Sequence, residues 1–338
     1  MMHMERADIC DMEDCDMEEH MKIVVLEAAS IGKDMSWEAL KKFGEVVLYD
    51  SLSQKDVKDA IKDADIIIPN KLRIDESVLE GSRVRMVCEA ATGYNNIDIA
   101  YCHKMGITVT NVKGYSTKSV AQHTIALLLS VYEKLNRYSN YVQNGDYAKS
   151  GQFSKVDYYF HEINGKTWGI VGLGAIGREI ASLAQAFGAR IIYYSASGST
   201  YDVPYEKVDF DTLLEESDIV SIHCPLNEYT EGLFDEKAFA KMKSCAVLIN
   251  VARGPVVQDV ALAKALKNCE IMAAGLDVFE KEPLSEGNPL YEINDRDTLL
   301  MTPHIGWGTV EARTRLLMEL EFNIEAFLKN EIRNVILQ

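Results

Sequence analysis

At 338 residues, 47% of them apolar and 26% charged, the chain has an ordinary globular composition and enough length for two domains. A formal net charge of −17 excludes nucleic acid as the expected partner, and no run reaches the ~18–20 apolar residues of a membrane span. The seven cysteines (10, 15, 88, 102, 224, 245, 269) are odd in number and form no C-x-x-C pair, which predicts reduced thiols in a cytoplasmic protein.

Residues 1–20 are rich in Met, Asp and Glu without an apolar stripe, and read as a disordered acidic extension. From Met21 the pattern changes to short β-branched runs alternating with helical stretches. Strands are expected at Ile23–Glu27, Val46–Tyr49, Ile66–Pro69, Met86–Glu89 and Thr108–Val112. A helix is expected over Ser36–Phe43, closed by a left-handed Gly44. This is a parallel α/β unit in its own right. One long helix is expected from Ser119 to about Gln143, with Val120, Thr124, Leu127, Val131 and Leu135 on one face, as a connector between domains.

Next comes Thr167-Trp-Gly-Ile-Val-Gly-Leu-Gly-Ala-Ile-Gly-Arg178, an apolar strand running into G-x-G-x-x-G. Ile176, Ile180, Leu183, Ala184 and Phe187 then recur at helical spacing. In that setting Gly172 permits a tight turn, Gly174 lets backbone approach a pyrophosphate and Gly177 lets helix and strand pack closely. With Ala175 and Ile176 they open a helix whose N-terminal N–H groups attract phosphate. This predicts a dinucleotide-binding unit. Its further strands are expected at Arg190–Tyr194, Ile219–His223, Val247–Asn250, Ala273–Asp277 and Leu299–Met301, and its helices at Asp211–Glu216, Asp235–Met242 and Val260–Lys267. The last helix, about Val310–Lys329, is expected to return to the first unit. The predicted division is therefore 21–118 plus 305–338 for one domain and 119–304 for the other.

Three segments at the ends of predicted strands carry chemistry: Asn250-Val-Ala-Arg-Gly254, Gly275-Leu-Asp-Val-Phe-Glu-Lys-Glu-Pro283 and Met301-Thr-Pro-His-Ile-Gly-Trp307. Ligands of open α/β sheets sit outside the carboxyl ends of the strands, so these segments can converge. A guanidinium grips a carboxylate bidentately, an imidazole protonates a carbonyl oxygen, and a carboxylate orients the imidazole. Taken singly, each residue has a plain alternative as a surface ion pair, a solvated charge, a loop histidine or a strand-end cap. Cys224 and Cys245 read as small apolar residues in or beside strands, and His123 as a helix-packing residue.

In these residues, taken in order behind the glycine motif, the chain resembles the D-isomer-specific 2-hydroxyacid dehydrogenases from Met21 to Gln338. The resemblance implies a Rossmann cofactor domain inserted in a flavodoxin-like substrate domain, both doubly wound parallel sheets. It implies Arg253 as the substrate-binding arginine, His304 as the acid/base, Glu282 as its partner, and Asp277 near the nicotinamide. Thr92 and Gly93, in Ala91-Thr-Gly-Tyr-Asn-Asn-Ile-Asp98, match the loop whose amides hold the substrate carboxylate. Cys224, Pro225, Thr230, Val251 and Ala252 match cofactor-lining positions. Within the family, Ser36-Trp-Glu-Ala-Leu40, Asn70-Lys71, Ser119-Val-Ala-Gln-His123 and His304-Ile-Gly-Trp307 are most similar to glycerate dehydrogenases, also called hydroxypyruvate reductases. D-lactate dehydrogenase is the alternative activity. A cofactor-sensing co-repressor is the alternative of another class, since such proteins keep the Arg/Glu/His set. A homodimer is expected, with the aromatic-rich segment from the helix near Ser119 through His161 as its arm.

One position departs from the family pattern. NAD enzymes place an acid about 20 residues past the glycine motif to bind the ribose hydroxyls. Here Ser195-Ala-Ser-Gly-Ser-Thr200 follows the strand, so the cofactor is NAD or NADP.

Overall fold

The structure, a computed structural model, describes residues 21–337. The expected acidic extension, 1–20, lies outside the described residues. The chain divides into two compact units, one running to Lys113 and resuming at Leu317, the other Gly114–Leu316.

In the first unit, Met21–Val25 (β1), Gly44–Leu48 (β2), Ile66–Ile68 (β3), Met86–Cys88 (β4) and Thr108–Thr110 (β5) form a wholly parallel sheet in the order β2-β1-β3-β4-β5. That is the flavodoxin-like winding. Its inner strands are apolar on both faces because helices cover both: Val24, Ile66, Ile67, Met86 and Val87 are fully buried. Residues 38–43 form a 3-10 helix rather than the α-helix expected from Ser36, and Gly44 is not its left-handed cap. Gly44 has φ +148° as the first residue of β2, where a Cβ would stand 2.0 Å from the Met21 carbonyl oxygen. The glycine serves a close approach of two strands.

In the second unit, Thr167–Val171 (β6), Arg190–Tyr194 (β7), Glu206–Lys207 (β8), Ile219–Ile222 (β9), Val247–Asn250 (β10), Ala273–Leu276 (β11) and Leu299–Met301 (β12) form a parallel sheet in the order β12-β11-β10-β9-β6-β7-β8. The order reverses at β6, as in a Rossmann fold. Strand β8, absent from the expected elements, has two residues, too few to show a period.

The helix Thr117–Tyr132 buries Val120, Ala121, Thr124, Leu127, Leu128 and Val131 in one core layer of this sheet. Gly275 of β11 admits it, since a Cβ there would lie 3.1 Å from the Cβ of Leu127. Phe234, Phe239, Leu262 and Leu266 anchor the layer on the other face. The single helix expected to Gln143 is two helices, Thr117–Tyr132 and Leu135–Gln143, broken where Lys134 turns to φ +56°. The units divide near 113/114 and 316/317 rather than at 118/119 and 304/305. The Thr117 helix belongs wholly to the second sheet, and Ser119 Oγ donates to the Gly306 carbonyl at 2.6 Å.

Candidate active site

Each glycine of the G-x-G-x-x-G turn meets a different steric demand. Gly172 has φ +94°, and a Cβ would strike the backbone nitrogen of Cys224 at 2.7 Å. A Cβ on Gly177 would strike the Gly172 carbonyl oxygen at 2.2 Å, which fixes how closely the helix Ala175–Ala186 seats on β6. Gly174, the N-cap of that helix, has no heavy atom within 4 Å of where its Cβ would be. Two glycines thus bring the helix end close to the sheet, and the third leaves an open approach to its N–H groups. Ala175 and Ile176 form the first turn. A pyrophosphate fits this cradle.

Arg253, Glu282 and His304 stand on the loops that follow β10, β11 and β12, three adjacent strands. His304 Nδ1 lies 2.7 Å from Glu282 Oε2, and Glu282 Oε1 accepts the Phe279 N–H at 3.1 Å. Among the described residues no protein group bonds His304 Nε2. Arg253 is partly buried, and Nη1 donates to the Ala252 carbonyl at 2.7 Å. Asn250 shapes its loop, accepting from the Ala252 N–H and donating to the Arg253 carbonyl. Gly254 seals this loop to the next one: a Cβ there would lie 1.7 Å from the Phe279 carbonyl oxygen. His304 itself has φ +55°, a left-handed conformation costing a non-glycine residue about 1–2 kcal/mol.

Asp277 accounts for how that backbone is held. Its carboxylate, 1% exposed, accepts from Ile305 N (2.9 Å), Gly306 N (2.7 Å) and Thr302 Oγ1 (2.6 Å). His123 Nε2 approaches Thr302 Oγ1 at 3.0 Å and Asp277 at 3.4 Å. Burial pushes the Asp277 carboxyl up, but donation from His123, Thr302, Gly306 and Ile305 outweighs it and holds the group below the usual carboxylate range. Both oxygens are engaged by protein donors, so Asp277 secures the His304 loop, a role that the expected cofactor contact did not include. His123 belongs to this polar network and is more than a packing residue.

Ser195 follows β7 and is buried, with Oγ 3.2 Å from Ser197 Oγ. Cys224 and Pro225 follow His223 in the loop after β9, and buried Thr230 closes it, donating to the Pro225 carbonyl at 2.7 Å. Burial pushes the Cys224 thiol up to about 12, so it stays protonated. Val251 and Ala252 are buried beside Arg253. Cys245, read as a small apolar residue in or beside a strand, is exposed in the turn just before β10.

Against known proteins, the family described as "D-isomer specific 2-hydroxyacid dehydrogenase, NAD binding domain" matches residues 125–306. A hydroxypyruvate reductase of Blautia hydrogenotrophica is 36% identical over 323 residues, covering 94% of this chain and 99% of the relative. The chain belongs to the D-isomer-specific 2-hydroxyacid dehydrogenases. Two solved structures share the fold of this dehydrogenase over 94% of its length. One is a D-lactate dehydrogenase of Aquifex aeolicus complexed with NAD and lactic acid (27% identity, TM-score 0.82, all but 1% of that chain covered). The other is an acyclic imino acid reductase in complex with NADPH and D-Arg (30% identity, TM-score 0.82, 100% of that chain covered).

In the first unit of the dehydrogenase, Thr92 and Gly93 lie in the loop after β4. Thr92 Oγ1 donates to the Val112 carbonyl at 2.8 Å, and its own carbonyl accepts from Asn111 Nδ2 at 2.6 Å. Asn323 Nδ2 in turn donates to the Asn111 carbonyl at 3.1 Å. Sequence reasoning missed Asn111, Thr302 and the seam at Gly254. Only Gly254 left a signal, as a glycine directly after a functional arginine. Among the described residues no helix is long and apolar enough to cross a membrane, and no His, Cys, Asp and Glu cluster is arranged to hold a metal ion.

Proposed function

We propose that this dehydrogenase reduces a small 2-oxo acid, hydroxypyruvate or glyoxylate, to the corresponding 2-hydroxy acid. The observation that carries the reading is the 2.7 Å His304–Glu282 pair on loops adjoining that of Arg253. The dinucleotide, when bound, supplies the hydride. Arg253 grips the substrate carboxylate through its planar fork, and Thr92 and Gly93 are the substrate-binding residues of the first unit. His304 Nε2 donates a proton to the carbonyl oxygen, which becomes the product hydroxyl. Glu282 holds the ring through Nδ1 so that Nε2 faces the substrate. Gly172, Gly174, Ala175, Ile176 and Gly177 cradle the pyrophosphate. Cys224, Pro225, Thr230, Val251 and Ala252 line the cofactor, with Asp277 supporting the nicotinamide side through the loop it anchors. Ser195 meets the adenosine ribose, and the lack of a carboxylate there admits NADP as well as NAD.

The test is a set of initial rates with hydroxypyruvate, glyoxylate and pyruvate, each with NADH and NADPH. Turnover of the first two above pyruvate supports the proposal. A clear preference for pyruvate makes the enzyme a lactate dehydrogenase, as in the relative solved with lactic acid. No turnover of any of them favours the co-repressor class.

Glu282→Gln is expected to keep the fold and to lower kcat for reduction roughly tenfold or more, because the imidazole loses the carboxylate that orients it through Nδ1. A wild-type kcat removes Glu282 from this role.

The homodimer rests on the stretch that follows Lys134. Phe153 is 97% exposed and Tyr159 83%, and Val156 and Phe160 are exposed beside them. Apolar exposure on this scale marks a surface built for contact. Light scattering at micromolar concentration is expected to give twice the chain mass. A single-chain mass refutes the arm.

A further inference from the structure

The loop after β7 contains no basic residue in sequence, yet two cations reach it in space. Lys207, the last residue of β8, pairs with Tyr193 of β7, and its Nζ donates to the Gly198 carbonyl at 2.6 Å and to Thr200 Oγ1 at 3.2 Å. Arg178, in the first turns of the glycine-motif helix, stacks its guanidinium 5.6 Å from the centre of the Tyr201 ring. Along the same loop the hydroxyls of Ser195, Ser197 and Ser199 follow one another at 3.2 and 2.8 Å. No carboxylate occurs from Ser195 to Tyr201. Of the acids nearby in sequence, Asp202 is exposed. Glu206 points to the opposite face of the strand from Lys207 and is paired with Arg190 at 2.7 Å. An ammonium carries three N–H donors, of which two are engaged by the loop, so one remains for a ligand.

We propose that Lys207, with the hydroxyls of Ser195 and Ser197, forms a binding site for the 2′-phosphate of NADPH, making the phosphorylated dinucleotide the preferred cofactor. The proposal rests on the dinucleotide reading of the glycine motif, which puts the adenosine ribose at the end of β7. Ser195 removes the charge that would repel the phosphate, and Lys207 adds one that attracts it. The bonds Lys207 already makes hold the ammonium over the loop, so little side-chain freedom is lost when phosphate arrives.

The experiment is fluorescence titration of NADPH and NADH into wild type, Lys207→Gln, Lys207→Arg and Ser195→Asp, with 2′,5′-ADP and 5′-AMP as competitors. Wild type is expected to bind NADPH more tightly than NADH. Lys207→Gln is expected to weaken NADPH roughly tenfold or more while NADH changes by no more than about twofold. Lys207→Arg is expected to restore most of the NADPH affinity, and Ser195→Asp to reverse the preference. The competitor 2′,5′-ADP is expected to outcompete 5′-AMP in wild type and to lose that advantage in Lys207→Gln. Equal weakening of both dinucleotides by Lys207→Gln overturns the proposal, because the lysine is then only a clamp on its loop. Unchanged affinity for both overturns it as well, while leaving the dinucleotide reading intact. Failure of wild type to bind either dinucleotide overturns that reading and this proposal with it.

Discussion

His304→Gln is expected to lower turnover of the 2-oxo acid by at least ~10²- to 10⁴-fold while dinucleotide binding survives. The variant removes the proton that must reach the carbonyl oxygen, and the glycine turn is built from other strands. Because His304 has φ +55°, Gln also carries backbone strain that an unrelated loss of folding could mimic. His304→Asn is the proper companion, since asparagine tolerates this conformation. Both variants should lose turnover and both should bind cofactor in a fluorescence titration. Near wild-type rates in either one would remove His304 from the role of acid.

The second large effect is expected at Arg253. Arg253→Lys keeps the charge but loses the planar fork, so KM for the 2-oxo acid should rise roughly 10- to 100-fold, as loss of one charge-assisted hydrogen bond implies. Cofactor affinity should change little. The Asn250 and Gly254 contacts that shape the loop involve backbone, so the exchange costs the loop only the guanidinium bond to the Ala252 carbonyl. Steady-state kinetics with saturating cofactor read the change directly. Parallel loss of substrate and cofactor affinity would instead mean that the arginine supports the loop.

The elements that could be read from the sequence are those whose side chains alone carry the signal. Buried strands such as Ile66–Ile68 and Val247–Asn250 are apolar on both faces, and the glycine turn declares itself by spacing. The Arg253, Glu282 and His304 loops were legible because each lies just past such a strand. What stayed hidden depends on atoms far apart in the chain. Lys134 looks like any helical residue, and its left-handed backbone breaks the expected helix without a proline or glycine to announce it. Asp277 looked like a strand-end acid, yet its four donors come from residues 123, 302, 305 and 306. Lys207 was absent from the reading of the Ser195 loop because it arrives from a neighbouring strand only two residues long.

The seam at Gly254 has a consequence for the imidazole. A single added carbon on Gly254 would collide with the Phe279 carbonyl, Phe279 holds Glu282, Glu282 holds His304, and the backbone beyond His304 is tied to Asp277. A side chain at position 254 would therefore push on the segment that holds Glu282, and through it on His304. A change on the arginine loop is expected to be felt at the imidazole two strands away.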